Sequence, residues 1–178
     1  MIRSLAALAL LATPLYAQTL APDDLAAIAA IEERNRAALL GEDAALLVGG
    51  IAPALLVATG TVVGLERSEE EAVAATVALF EQSFALNDTL EYDIDLDLLT
   101  PERSATGRAM ALAPMSSLVR LQDGRSFRAR TVVLFFEDGD RWYWSRIDNA
   151  NAIAALRTAY PDIDDVTPAE IELEEIAR

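Results

Sequence analysis

Thr131-Val132-Val133-Leu134-Phe135-Phe136-Glu137-Asp138-Gly139-Asp140-Arg141-Trp142-Tyr143-Trp144 contains two strands and the turn that joins them. A run of β-branched, leucine and phenylalanine side chains stops at a glycine flanked by aspartates, and aromatic residues resume beyond it. Working outward, the first strand extends back to Phe127 and the second forward to Ile147. Asp123-Gly124 is a second hairpin signal, which connects Leu118-Val119-Arg120-Leu121 to the same strand. Residues 103–113 read as a further strand. Before it, Leu90, Tyr92, Ile94, Leu96 and Leu98 alternate with Glu91, Asp93, Asp95 and Asp97, which predicts a strand with one buried and one acidic face. Consecutive hairpins make an antiparallel meander.

Upstream the period is helical. Pro22-Asp23-Asp24 opens a helix whose apolar residues are Leu25, Ile28, Ile31 and Leu39, with Gly41 placed to end it. Ser68-Glu69-Glu70-Glu71 is a capping box, and Val73, Val77, Phe80 and Phe84 form one stripe of a helix running to about Leu86. Between these helices Ala44–Leu65 carries no charge. It is long enough to consider as a membrane span, but Gly49-Gly50, Pro53, Gly60 and Gly64 divide it, so it reads as a short helix, a turn and short strands in the core. Asp148 or Asn149 can cap a short helix through Leu156, and Thr167-Pro168-Ala169-Glu170 predicts one more helical turn.

The composition narrows the chemistry. The 178 residues include 29 acidic and 14 basic side chains, a formal charge of -15, and every basic residue is arginine because lysine is absent. Histidine and cysteine are absent as well. That excludes an imidazole base, a thiolate nucleophile, a disulfide, a thiolate zinc site and a Schiff-base lysine. The charge disfavours nucleic acid as a partner. At the N-terminus, Arg3 precedes the apolar run Leu5–Ala12, and Thr13-Pro14-Leu15-Tyr16-Ala17 ends in a small residue before Gln18. This pattern predicts a signal peptide over residues 1–17, cleaved after Ala17, and a periplasmic product with no membrane attachment. Residues 18–160 then form an α+β domain, and 161–178 an acidic tail.

Asn35-Arg36-Ala37 followed by Gly41-Glu42-Asp43, then Gly60-Thr61-Val62-Val63-Gly64 ahead of the third helix, and finally Thr131–Trp144 occur in a recognisable order. Over residues 22–148 the chain resembles the nuclear transport factor two-like superfamily, which includes SnoaL-like and ketosteroid-isomerase-like proteins. The resemblance implies a cone-shaped α+β fold, with N-terminal helices on the concave face of a curved antiparallel sheet, a pocket between them, and a short helical C-terminal tail added to the usual pattern. Catalytic members use Asp, Tyr or His in that pocket. This chain has no His, and its first helix has no Tyr.

Candidate site residues follow. Phe80, Tyr92, Trp142 and Trp144 are the expected lining of a pocket for a small apolar ligand, since aromatic faces stack on flat apolar molecules. Tyr92 with Asp148 is the alternative acid–base pair, which would suit a cofactor-independent lyase or isomerase if an apolar site raised the carboxylate. The acidic row Glu91, Asp93, Asp95 and Asp97 spaces its carboxylates about 6.5 to 7 Å apart on one strand, too far to clasp one cation. It reads as a solvated face, with Arg108, Arg120, Arg128, Arg130 or Arg146 as cross-strand partners. A loop near Asp162, Asp164 and Asp165 is the other place where carboxylates gather, and no metal or cofactor is expected. The reading that follows is a non-catalytic domain that binds a small apolar ligand or a protein partner. A homodimer built through the sheet is a further alternative.

Overall fold

The computed structural model describes residues 19–176; the expected signal peptide lies outside them. The elements are α1 (Pro22–Leu40), α2 (Ala44–Val48), α3 (Pro53–Val62), α4 (Glu69–Leu86), β1 (Asn87–Ile94), β2 (Thr100–Arg103), β3 (Ala109–Leu121), β4 (Ser126–Asp138), β5 (Arg141–Arg146), α5 (Ala150–Ala159) and β6 (Glu172–Ile176), with a 3-10 turn at Leu96–Leu98. This is the expected α+β architecture, an antiparallel sheet curled into a half-barrel with helices packed against it.

Two strands of 13 residues, β3 and β4, form the spine. Each carries two short strands along its outer edge: β1 and β2 on β3, β5 and β6 on β4. The expected strand over 103–113 is split, since Arg103 ends β2 and Ala109 begins β3, while its second part and 118–121 are one continuous strand, β3. Pro114 explains how one strand serves two partners. Its carbonyl accepts from the Asp95 N–H at 2.9 Å, so its nitrogen points to the same edge. Pairing with β2 ends at Leu112 and pairing with β1 begins at Met115, so the missing N–H falls in the gap.

The run Val133–Phe136 is buried on both faces, which is why it is continuously apolar. Val133 and Phe135 join Ile28, Ile31, Tyr92, Ile94, Trp142 and Trp144 under α1 and α4. Leu134 and Phe136 face the other way, against Ile153, Leu156, Tyr160 and Ile163. The stripe on α4 also divides: Phe80 and Phe84 meet the sheet layer, whereas Val73 and Val77 pack on Val48 and Leu56.

Three expectations are corrected. Residues 53–62 form α3, not strands. Pro53 supplies the helical φ at its first turn, and Thr59 and Thr61 bond back to the carbonyls of Leu55 and Val57, so these β-formers satisfy their hydroxyls within the helix. The alternation from Leu90 to Leu98 also breaks. A bulge at Leu90 shifts the register between Thr89 and Glu91, leaving Leu90 40% exposed, and β1 stops at Ile94, where Asp95 caps the 3-10 turn. The acidic row is thus dispersed: Glu91 pairs with Arg128, Asp93 with Arg36 of α1, and Asp95 bonds the Asp97 N–H. The third correction concerns Thr167–Glu170, which is irregular rather than helical. The Ala169 N–H donates to the Ile147 carbonyl at 2.7 Å, Val166 is buried, and the chain continues into β6 on the open edge of β4. Tertiary hydrogen bonds outcompete the local capping signal here.

No helix among the described residues is long and apolar enough to cross a membrane, so Ala44–Leu65 is not a span in this fold.

Candidate functional site

Phe80 projects from α4 and Trp144 from β5 into one apolar cleft with two chambers. The inner chamber, about 220 Å³, lies between α4 and the concave sheet face, against Leu47, Phe84, Tyr92 and Met115. The outer one, about 350 Å³, opens between α3, α4 and α5, against Leu55, Leu56, Leu79 and Ala152. Phe80, Trp144 and Arg146 line both. The larger chamber falls within the size range of sites for small organic ligands, roughly 300–1,000 Å³. Alternation along the sheet places these groups: Tyr92 opposes Ser117, Ile94 opposes Met115, and Trp144 opposes Phe135, so their side chains share one face.

Three of the four expected pocket residues, Phe80, Tyr92 and Trp144, are therefore brought together. Trp142 is not. It shares the face, but its indole N–H donates to Asp24 at 3.0 Å and lies beneath the first turn of α1.

No hydrogen bond joins Tyr92 to Asp148. The Tyr92 ring borders the inner chamber, while its hydroxyl is sealed toward α1 near Asn35 and completes no well-formed hydrogen bond. Burial drives the tyrosine pKa well above its ordinary value, with the Asn35 amide pulling the other way, so this phenol stays neutral at physiological pH. Glu32, one turn before Arg36 and also buried, is raised by burial and lowered by its ion pair with Arg36. Asp148 is engaged elsewhere. Its carboxylate accepts from Arg146 and, at 3.0 Å, from Asn149. The cap of α5 is Asn149, whose side chain accepts from the Ala152 N–H.

Arg146 is the one charged side chain that lines either chamber among the described residues. The cleft therefore offers aromatic and aliphatic contact but no pair of free ionisable groups facing a common point, which proton transfer would need. Among the described residues no group of three or more acidic side chains is arranged around a metal position. Asp162 is bound by Arg108, Ser104 and Thr106 instead.

Sequence reasoning missed Leu55, Leu79, Ala152 and Arg146 as lining residues. The first was hidden by the strand reading of 53–62, and the others have no local signature, since they converge from separate elements. No protein-family model matches the chain, and no curated protein or solved structure matches it significantly.

Proposed function

We propose that the chain is an exported member of the nuclear transport factor two-like superfamily that binds a small apolar ligand without transforming it. One observation carries the binding reading: the two-chambered cleft around Phe80 and Trp144, apolar on most of its wall. The order of helices followed by a curled antiparallel sheet supports the superfamily. The engaged Asp148 and the sealed Tyr92 hydroxyl support binding over acid–base catalysis. The outer sheet face is covered by α5 at one end and carries ion pairs such as Arg128–Glu91 and Arg130–Glu174 at the other, so an apolar dimer face through the sheet has no support.

The test uses N-phenyl-1-naphthylamine, an uncharged apolar dye whose emission rises out of water. Wild-type protein should enhance its fluorescence saturably. Phe80→Ala should weaken that binding, and Tyr92→Phe should leave it unchanged. No enhancement, or enhancement indifferent to Phe80, overturns the reading. Export is tested separately by the intact mass of periplasmic protein, which should begin at Gln18; a product that still carries Met1 argues against it.

A further inference from the structure

A second site, outside the cleft, is built from two arginines that have no acceptor. Most of the described arginines face a carboxylate, as Arg36, Arg120, Arg128, Arg130 and Arg146 do. The guanidiniums of Arg34 and Arg141 make no hydrogen bond or ion pair among the described residues, although the chain has about twice as many acidic as basic groups. Arg34 comes from α1 and lies flat against the backbone at Gly50. A Cβ there would stand 2.8 Å from its Nη2 and 3.1 Å from its Nε, so the glycine permits the approach. The Arg34 Nε is buried and unpartnered. Arg141 opens β5 with its guanidinium 5.1 Å from the centre of the Tyr143 ring.

The two guanidiniums sense one another. Burial, and then the charge of Arg141, lower the pKa of Arg34, while Tyr143 acts in the opposite sense. A buried donor without an acceptor and a like charge within electrostatic reach both cost free energy, and an anion near both relieves them. Beside them is a cavity of about 200 Å³ whose wall includes Val48, Ile51, Leu56, Val73 and Val77. Gly49 and Ile51 belong to that wall, and Gly50 between them bears Arg34; Arg141 is its one charged lining residue.

We infer that Arg34 and Arg141 receive the carboxylate of an apolar monocarboxylic acid whose hydrocarbon body lies in this cavity. The guanidinium fork matches the two oxygens of a carboxylate. A phosphate would bring a third oxygen and a second negative charge to a wall whose one polar side chain besides Arg141 is Tyr143.

Calorimetric titration of the full chain with octanoate, octanol and octyl phosphate tests the assignment. Octanoate should bind about tenfold more tightly than octanol, as for a charge-assisted hydrogen bond at a part-exposed site. Arg34→Met and Arg141→Met should each lower octanoate to the level of octanol. Without ligand, their melting temperatures should be unchanged or higher, because a repulsion has been removed; a purely structural arginine would move them down. Gly50→Ala keeps both charges but displaces the Arg34 guanidinium, and it should weaken octanoate as well. Arg141 is exposed, so its variant remains informative if Arg34→Met does not fold. Octanoate binding no better than octanol, or unchanged in Arg141→Met (as it would be if the acid sat on Arg146), overturns the inference. Tighter binding of octyl phosphate overturns the choice of carboxylate. The naphthylamine dye should bind Arg141→Met as it binds wild type, which keeps this result separate from that of the Phe80 cleft.

Discussion

Phe136→Ala is expected to destabilise the domain by about 4 kcal/mol, within the roughly 3–5 kcal/mol typical of a deleted core aromatic. Phe136 has no solvent exposure. It stands on the β4 face opposite the cleft, with its ring 4.9 Å from that of Tyr160 and 6.2 Å from that of Tyr143. Tyr160 begins the segment through Ile163 and Val166 that is buried in the same cluster. The truncation therefore leaves a void under α5 and loosens the segment that leads to β6. Urea denaturation should show the loss as a lower midpoint at an unchanged slope. Phe80→Ala should cost less, because Phe80 is half-buried and already faces open cleft space. A Phe136→Ala loss below about 1 kcal/mol would mean that α5 and residues 160–166 are not seated on this face.

Asp162→Ala should cost about 2–3 kcal/mol, because it deletes a mostly buried carboxylate that accepts from several donors and strands a mostly buried arginine. Arg108 donates to Asp162 from Nε at 2.9 Å and from Nη2 at 3.1 Å, and Ser104 and Thr106 donate to it at 2.8 and 2.9 Å. The third guanidinium nitrogen reaches the Glu137 carbonyl, so one side chain ties the β2–β3 turn, the end of β4 and the C-terminal segment together. The bond to Arg108 holds the Asp162 carboxyl far below the ordinary carboxylate range, and burial opposes it only in part. The folded pKa is depressed, so the stabilisation is complete above the unfolded value of about 3.9 and is lost as pH falls from there toward the folded value. Wild type should therefore exceed Asp162→Asn in stability by a constant margin from about pH 5 upward, and the margin should shrink at lower pH. Melting curves between about pH 2.5 and 7 measure it. A margin that is the same throughout would show that Asp162 is not the titrating anchor.

Much of the cleft was legible because its aromatic residues lie on elements with strong local signals. Ser68 accepts from the Glu71 N–H and Glu71 returns a bond to Ser68, as the capping box required, which sets the phase of α4 and so the direction of Phe80 and Phe84. Hairpin turns set the phase of β5, and with it Trp144. Arg146 was legible only as a charge. Its place at the junction of the chambers depends on where α3 and α5 pack, and that is a property of no single segment.

What the chain determines by itself is local. Gly124 and Gly139 have φ near +82 and +67°, so both hairpins turn where the glycines permit. The apolar run 133–136 requires burial, and the absence of histidine, cysteine and lysine limits the chemistry at any site. The tertiary structure decided the rest where local preference was outweighed by groups distant in sequence. Residues 53–62 became helix despite their β-branched content, because the helical ladder pairs backbone groups locally while their apolar faces close the gap between α4 and α5. Glu172–Ile176 became a strand because β4 offers unpaired edge groups at Ser126–Arg130, and no sequence window contains both. Asp162 met Arg108 across 54 positions for the same reason: a hydrogen bond is short in space, and only the folded chain determines which residues come that close.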